Sequence, residues 1–188
     1  MRIIAGNYKG TTLFTPIGKE TRPTSDRARQ TLFDILMHAP WAGKKFMENA
    51  IILDAFAGTG ALGLEAISRG AQKAYFFEKN VQTRQTLEKN IQLCRANSVS
   101  ILYKDVLTPP LSPCSCNLLF LDPPYHQELI PIALKKLQQQ KWILPDALII
   151  TETAINEELP INQSFDMINE RKIGAAYLKF WKQNNIIE

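Results

Sequence analysis

From about residue 50 onward the chain alternates short apolar runs with longer stretches of helical periodicity. This alternation predicts a parallel α/β sheet with crossover helices. The expected parallel strands cover residues 51–56, 73–78, 99–103, 117–122 and 147–152, and the expected helices cover residues 61–69, 80–95 and 128–141. Residues 165–172 and 175–182 are joined at Gly174 and are expected to complete a mostly parallel seven-stranded sheet as an antiparallel hairpin.

A different pattern precedes this alternation. Arg2-Ile3-Ile4 and Thr11-Thr12-Leu13-Phe14 flank the turn-like residues 7–10, so a β-hairpin is expected there. A helix should follow, with Thr24 or Ser25 as its cap. The apolar face of that helix would be formed by Ala28, Leu32, Ile35 and Leu36, opposite Arg27 and Gln30.

Basic residues are concentrated in the first quarter of the chain. Residues 1–45 hold eight Lys or Arg against three Asp or Glu, whereas the remaining 143 residues hold fourteen against fifteen. Such an excess indicates a segment that contacts phosphate, here through Arg2, Lys9 and Arg27, although a solvated basic face explains it equally well. At 188 residues the chain is expected to be one domain, with a basic appendage at residues 1–45 and a core at residues 50–188.

Composition points to a cytoplasmic protein. No apolar run approaches the roughly 18 residues that a membrane span needs, and the N-terminus lacks the apolar core of a signal peptide. Three cysteines cannot form a disulfide framework, and Cys114-Ser115-Cys116 has the wrong spacing for a zinc knuckle. Neither a membrane association nor a metal site is expected.

A glycine-rich turn lies between the first expected strand and the helix after it. Residues 54–63 contain the pattern G-x-G-x-x-G, formed by Gly58, Gly60 and Gly63, which lets the backbone turn tightly and approach a ligand. Glu78 stands twenty residues past Gly58, at the end of the next strand, where a carboxylate can bind ribose hydroxyls. The pattern predicts a nucleoside-type cofactor and by itself would equally suit NAD.

Two details favour a cofactor other than NAD: an acid precedes the glycines, and no residue here requires a pyrophosphate partner. Asp54 precedes the glycines by four residues, and an acid there suits a ribose with a zwitterionic amino-acid tail better than a diphosphate. Asp105 follows the third strand and is placed for an adenine amino group. Because the carboxyl ends of parallel strands share one rim, Asp54, Glu78, Asp105 and Asp122 are expected to lie along it.

The tetrapeptide Asp122-Pro123-Pro124-Tyr125 closes the apolar run of residues 118–121. An exocyclic amine on a nucleobase is a poor nucleophile, and two acceptors, the Asp122 carboxylate and the Pro123 carbonyl, can hold it in the pyramidal form that attacks. Proline stiffens the turn, and Tyr125 offers a face to a base that has left its stack. On the tetrapeptide alone, an ordinary strand-ending turn is an equally good interpretation.

In their order, these motifs resemble those of class I S-adenosylmethionine-dependent amino-methyltransferases, which have a Rossmann-like fold. The more particular resemblance is to bacterial small-subunit ribosomal RNA guanine-N2 methyltransferases that act at guanine 966 in rRNA numbering. It covers nearly the whole chain and is carried by Arg2-Ile3-Ile4-Ala5-Gly6, Lys9-Gly10, Arg22-Pro23-Thr24, Leu32-Phe33-Asp34-Ile35-Leu36 and residues 54–66. Two positions depart from the family pattern: Asp34 replaces an expected Asn, and Asn80 stands where an acid often follows the ribose-binding Glu.

The resemblance implies S-adenosylmethionine as cofactor and 16S rRNA, or the assembling small ribosomal subunit, as partner. The implied cofactor residues are Asp54, Phe56, Gly58, Gly60, Glu78, Lys79, Asp105 and Val106. Asp122, Pro123 and Tyr125 would hold the target guanine. The implied RNA contacts are Arg2, Lys9, Arg22, Thr24 and Arg27.

Three other functions remain open at this point. A DNA adenine-N6 methyltransferase would use the same cofactor and the same acids, but 188 residues leave little room for a segment that reads base edges. An NAD-dependent oxidoreductase would leave Asp122-Pro123-Pro124-Tyr125 unexplained. A non-catalytic RNA-binding module on the same fold is disfavoured by the intact acids of the rim.

Overall fold

A single seven-stranded sheet forms the centre of the computed structural model, which describes residues 1–15, 26–161 and 163–183. The strands are β1 (Ile51–Asp54), β2 (Lys73–Phe77), β3 (Val99–Leu102), β4 (Cys116–Leu121), β5 (Ile143–Ala154), β6 (Phe165–Ile173) and β7 (Ala176–Gln183). The helices are α1 (Asp26–His38), α2 (Lys44–Glu48), α3 (Ala61–Ser68), α4 (Val81–Cys94) and α5 (Leu129–Gln139). The predicted cap of α1, Thr24 or Ser25, lies outside the described residues.

The strand order across the sheet is β3-β2-β1-β4-β5-β7-β6. Strands β1 to β5 pair in parallel, and β7 runs antiparallel to both β5 and β6. This arrangement confirms the predicted Rossmann-like α/β class with its C-terminal antiparallel hairpin. Because the chain turns to opposite sides after β1 and after β4, the crevice at the carboxyl ends of these two strands is where such sheets bind ligands.

Some boundaries differ from those expected. Strand β5 begins at Ile143, which pairs with Cys116 ahead of an irregular register, whereas Pro145 and Asp146 interrupt the apolar pattern that predicted a start at residue 147. Helix α2 was not predicted, because it is five residues long and buries only Met47. The expected N-terminal hairpin is short: Arg2 and Thr12 form one antiparallel bridge, and the N–H groups of Ile3 and Leu13 donate to the carbonyls of Thr11 and Met1 at 3.0 Å.

Apolar side chains from the two faces of the sheet form two cores. One face packs on α1, α2, α3 and α4, and its largest fully buried side chains include Phe33, Phe76, Phe120 and Phe180. The other face packs on α5 around Trp142, whose indole lies edge-on to Phe77 with the ring centroids 5.3 Å apart. Burial on both faces explains why the parallel strands read as continuous apolar runs.

Buried polar side chains of α3 hold the N-terminal segment, residues 1–15, against the core. The Glu65 carboxylate is fully buried and accepts hydrogen bonds from the backbone N–H groups of Ile4 (2.7 Å) and Ala5 (3.1 Å). One turn later, the Ser68 hydroxyl accepts from the Tyr8 N–H at 2.9 Å. These bonds satisfy backbone groups that would otherwise be buried without partners.

The backbone at Gly6 lies very close to α3, which is a second feature of this packing. Gly6 has φ +80°, and a Cβ there would stand 1.7 Å from the Ser68 carbonyl oxygen. At the far end of the segment, the buried Asn90 side chain accepts from the Phe14 N–H (2.8 Å) and donates to the carbonyls of Phe14 (3.1 Å) and Thr59 (2.9 Å). Asn90 thus connects the N-terminal segment to the glycine-rich turn.

Among the basic residues of the first quarter that the structure describes, one is not at the surface. Arg29 is fully buried on α1, where it donates to the Arg2 carbonyl (2.6 Å) and pairs with Asp26 (2.8 Å). Arg29 therefore contributes to the charge count of the first quarter, but its guanidinium serves the packing of the N-terminal segment. Within the described part of the chain, no helix is long and apolar enough to cross a membrane.

Candidate functional site

A cavity of about 780 Å³ opens at the carboxyl ends of β1, β2 and β4. Its volume lies within the range of about 300–1,000 Å³ typical of small-molecule sites. The cavity wall includes ten of the eleven residues expected at the cofactor or target base: Asp54, Phe56, Gly58, Glu78, Lys79, Asp105, Val106, Asp122, Pro123 and Tyr125. Motifs that are far apart in sequence therefore share one cavity.

The eleventh residue, Gly60, serves packing in this structure. Gly60 is buried in the left-handed conformation (φ +80°) at the start of α3, and a Cβ there would lie 2.3 Å from Leu87 Cδ1. The third glycine of the motif is packed similarly, since a Cβ on Gly63 would lie 2.3 Å from Phe76 Cε1. Gly58 (φ +54°) faces the cavity, with no side chain between it and a ligand.

Asp54 is a buried carboxylate at the end of β1. Its Oδ2 atom accepts a hydrogen bond from the Gly63 N–H at 3.1 Å, in the first turn of α3, where a negative charge is favourable. Burial raises the pKa of Asp54 to about 7; the Gly63 bond opposes this rise, and the nearby charge of Glu78 adds to it. A cationic ligand group beside Asp54 would favour its ionised form.

Glu78 joins the end of β2 to the glycine-rich turn. Its carboxylate accepts from the Gly58 N–H (3.2 Å) and from the Asn80 N–H (2.7 Å), so both oxygens have fixed positions. An ionised carboxylate has about four lone-pair sites, which leaves it able to accept from a ligand hydroxyl as well. Asn80 in turn caps α4 by accepting from the Thr83 N–H at 3.0 Å.

Asp105 and Lys79 form an ion pair at the rim of the same cavity, with 2.8 Å between Oδ2 and Nζ. Burial tends to raise the pKa of Asp105, but the hydrogen bonds from Lys79 and from the Leu107 N–H outweigh it, so this pKa lies below its ordinary value. Beside them Val106 is buried and supplies an apolar surface to the cavity. This corner can accept a flat, partly polar ring.

The tetrapeptide follows directly on β4. Asp122 is half-buried and Pro123 is buried. The Tyr125 hydroxyl donates to Glu152 Oε1 on β5 at 2.6 Å, which fixes the far end of the aromatic ring. The backbone beyond the ring is held by a second carboxylate, because the N–H of His126 donates to Glu157 at 2.9 Å.

Other residues of the wall were not predicted. Met1, Thr15 and Arg29 bring the N-terminal segment and α1 to the cavity, and the Thr59 hydroxyl lies 3.5 Å from the Met1 sulfur. No sequence signal places these three residues there, because only the docking of the segment does so. Glu152, which is outside the wall but holds the wall residue Tyr125, was also missed, although it ends an expected strand and the rule that found the other rim acids applies to it.

The expected RNA contacts lie outside this cavity. Arg2 and Lys9 are exposed and line a shallower depression of about 320 Å³, together with Asp26 and Gln30. Arg27 is exposed on α1, whereas Arg22 and Thr24 lie outside the described residues. Among the residues that the structure describes, no group of three or more His, Cys, Asp or Glu side chains is arranged to hold a metal ion.

Known proteins are similar to this chain in both sequence and fold. A family model described as "Conserved hypothetical protein 95" matches residues 1–182. The Haemophilus influenzae protein named "Ribosomal RNA small subunit methyltransferase D" is 32% identical over 187 residues, covering 97% of this chain and 93% of that protein. The solved structure of the Escherichia coli protein yhhF has a TM-score of 0.84 at 30% identity, with 98% of each chain covered.

A more distant structure extends the likeness of fold. An RNA methyltransferase from Salinibacter ruber in complex with S-adenosyl-L-homocysteine has a TM-score of 0.66 at 13% identity, covering 88% of this chain and 96% of that one. At this identity only the fold is shared. Because a family model covers residues 1–182 and a relative of 32% identity covers nearly the whole chain, this protein belongs to the conserved hypothetical protein 95 family, together with relatives named ribosomal RNA small subunit methyltransferase D.

Proposed function

We propose that this protein transfers a methyl group from S-adenosylmethionine to the exocyclic N2 of a guanine in small-subunit ribosomal RNA, at the position of guanine 966. The observation that carries the proposal is the shared cavity, which joins the glycine-rich turn and Glu78 to Asp122, Pro123 and Tyr125. The small-subunit rRNA substrate follows the name of the Haemophilus influenzae relative. The choice of guanine N2 follows the resemblance of the N-terminal motifs.

The residues of the cavity fit S-adenosylmethionine. Its ammonium group suits the buried Asp54 carboxylate, and its ribose hydroxyls suit the Glu78 carboxylate, which backbone N–H groups already hold in place. Gly58 leaves room for the methionine part, while Phe56, Val106 and the Lys79–Asp105 pair surround the place for adenine. When bound, S-adenosylmethionine supplies a methyl group on a positively charged sulfur and leaves as S-adenosylhomocysteine.

Asp122 and the Pro123 carbonyl hold the target amine. Their two oxygens accept the N2–H hydrogen bonds and direct the nitrogen lone pair toward the methyl carbon, so positioning supplies much of the rate. The Asp122 charge also stabilises the positive charge that develops on N2 during transfer. Asp122 need not be a strong base, because the alkylated amine becomes acidic and loses its proton afterwards to the carboxylate or to water.

Tyr125 receives the base after it has left its stack. N2 of a paired guanine is inaccessible to in-line attack, so the nucleotide must flip into the cavity. The Tyr125 ring, fixed at its hydroxyl by Glu152, offers a flat surface for stacking. If Asp122–Tyr125 were only a strand-ending turn, an aromatic ring fixed at the wall of a cavity would have no role.

The N-terminal part is proposed to contact the RNA backbone, while residues 50–188 bind the cofactor. Arg2 and Lys9 are exposed in the depression beside α1, and the Arg29 side chain links the Arg2 carbonyl to the wall of the main cavity. Phosphates flanking a flipped guanine would therefore meet positive charge close to the site. We place this activity in the cytoplasm, on 16S rRNA or the assembling small subunit.

The proposal is tested by mass mapping of modified 16S rRNA. Deproteinised 16S rRNA and small-subunit particles, both lacking the modification, are incubated with the protein and isotope-labelled S-adenosylmethionine. One labelled methyl group on N2 of guanine 966 is expected, and Asp122→Ala should abolish it. A methyl group on another rRNA base would overturn the target, and methylation of duplex DNA at adenine with unmodified rRNA would overturn the substrate class.

A further inference from the structure

Glu152 lies beside Asp122 at the rim of the sheet. Leu121 and Thr151 are register partners in the parallel pair of β4 and β5, and Asp122 and Glu152 are the next residues of the two chains. Neighbouring strands are on the order of 5 Å apart. Because side chains alternate along a strand, Asp122 and Glu152 continue the face that carries the partners Phe120 and Ile150.

The bond to Tyr125 fixes where the Glu152 carboxylate stands. The distance of 2.6 Å from the Tyr125 hydroxyl to Oε1 places the carboxylate at the edge of the ring on which the target base would stack. Glu152 belongs to β5, which is paired on both sides, so its backbone cannot shift easily. Glu152 is half-buried just outside the residues that line the cavity, so a base lying on Tyr125 with its amine at Asp122 can bring its neighbouring edge to the Glu152 carboxylate.

That edge differs between the bases that carry an exocyclic amine. In guanine two ring nitrogens flank the carbon that carries the amine: N1 carries a hydrogen and donates, whereas N3 accepts. In adenine, the ring nitrogen beside the amine has a lone pair and accepts. A carboxylate is only an acceptor, with about four lone-pair sites, and can therefore serve both Tyr125 and a base N1–H.

We propose that Glu152 accepts the N1–H hydrogen bond of the target guanine and thereby selects guanine over bases whose N1 is an acceptor. This inference rests on the proposed methyl transfer and adds the residue that reads the base. Asp122 and Pro123 hold N2 in either case, whereas the bond at N1 forms only with guanine. With an N1 lone pair facing the Glu152 carboxylate, the site would contain two opposed acceptors and lose the bond.

The test compares guanine with 2-aminopurine, which keeps the 2-amine but has an acceptor at N1. Full-length 16S rRNA carrying either base at position 966 is made by splinted ligation and offered both free and in reconstituted small-subunit particles. We expect wild-type protein to methylate guanine at least about 100-fold faster than 2-aminopurine, since a site built to bond an N–H strongly rejects an analogue without it. In Glu152→Gln the amide can donate to N1, so this preference should shrink to within about tenfold.

Two controls separate base reading from a purely structural role. Tyr125→Phe removes the hydroxyl that bonds Glu152 but keeps the carboxylate, so it should slow both substrates while guanine stays strongly preferred. Glu157→Gln changes a neighbouring acid that accepts from the backbone N–H groups of His126 and Ala154, and it should leave the preference unchanged. RNA affinity measured with S-adenosylhomocysteine should show the same guanine preference without any turnover.

Each outcome decides the question. Equal wild-type rates on guanine and 2-aminopurine, or equal slowing of both by Glu152→Gln, would overturn the role of Glu152 while leaving methyl transfer intact. Methylation of neither RNA would instead overturn the proposed function. If circular dichroism shows that Glu152→Gln does not fold, Glu152→Asp withdraws the carboxylate by one methylene and should lower the guanine preference in the same direction.

Discussion

The two halves of the cavity are held in place by different kinds of bond. On the cofactor side, carboxylates accept from backbone N–H groups of nearby loops: Asp54 from Gly63, Glu78 from Gly58 and Asn80, and Asp105 from Leu107. On the target side, Tyr125 depends on a side chain of another strand, 27 positions away. The carboxylates of the cofactor side are thus fixed mainly by backbone groups, whereas the ring on the target side is fixed by another side chain.

This difference predicts that the two halves can be disabled separately. Substitutions on the target side should stop the chemistry and leave cofactor binding intact, whereas substitutions on the cofactor side should change cofactor affinity or stability first. Four changes test this separation, from the largest expected effect to the smallest.

Replacing Asp122 should abolish the function of the target side without affecting the cofactor side. Asp122→Ala should lower methyl transfer by at least about 1,000-fold, because the amine loses both its orientation and the charge that stabilises the transition state. Calorimetric affinity for S-adenosylhomocysteine should change less than about threefold, since the residues of the cofactor side are unchanged. Activity close to that of the wild type would contradict the mechanism, and a large loss of cofactor affinity would contradict the separation of the halves.

Replacing Asp54 tests the burial of charge on the cofactor side. Its folded-state pKa of about 7 lies above the unfolded value of 3.8, so the native state binds more protons between these values and loses stability as pH rises from about 4 to about 7. Asn can still accept the Gly63 bond without carrying a charge. Relative to Asp54→Asn, the wild type should therefore lose roughly 2–3 kcal/mol between pH 5 and pH 8 in urea unfolding, at about 1.4 kcal/mol per pKa unit.

A control variant is measured in the same series of unfolding experiments. Asp146→Asn changes an exposed acid outside the cavity and should track the wild type across the pH range. If the stabilities of wild type and Asp54→Asn ran parallel with pH, Asp54 would not be the buried charge that the structure indicates.

Replacing Glu78 weakens cofactor binding without disturbing the target side. Glu78→Gln keeps the size of the side chain but makes weaker, uncharged hydrogen bonds to ribose hydroxyls. Affinity for S-adenosylhomocysteine should fall about 10–100-fold, the loss of one or two charge-assisted bonds, while RNA affinity stays within about twofold. Glu88→Gln, on the outer surface of α4, is the matched control and should leave both affinities unchanged.

Removing charge from the N-terminal segment should have the smallest effect on chemistry. Arg2→Ala with Lys9→Ala should reduce the slope of log affinity against log salt by about one unit for each phosphate that is no longer neutralised, with turnover at saturating RNA changed only a few-fold. Lys135→Ala, an exposed charge on α5 on the opposite side of the sheet, serves as control. An unchanged salt slope in the double variant would show that these residues form only a solvated face.

The cofactor side could be predicted from sequence because its signals are local. The glycine motif, Asp54 and Glu78 fall within one strand–helix–strand unit, and the strand-end rule brings Asp105 and Asp122 to the same rim. Gly60 shows the limit of the motif, because spacing alone does not distinguish a glycine needed for packing against Leu87 from one that faces a ligand. Glu152 was within reach of the strand-end rule but had no motif to draw attention to it.

The N-terminal segment shows the opposite case. Its charge was visible in the sequence, but its docking on Glu65, Ser68 and Asn90 was not, since polar residues inside helices carry no signal that distinguishes buried from exposed positions. For the same reason the charge count of the first quarter does not reveal that Arg29 is fully buried. Residue type gives the charge of a side chain but not its environment.

The sequence by itself determined the class of fold, the glycine-rich turn and the order of acids along the sheet. Apolar periodicity and glycine conformation act over a few residues and leave a readable pattern. Only the tertiary structure decided which residues meet: Tyr125 with Glu152, Asn90 with Phe14, and Arg29 with the Arg2 carbonyl. Such contacts depend on the pairing of distant strands and the packing of helices, which side-chain chemistry permits but does not specify in the linear chain.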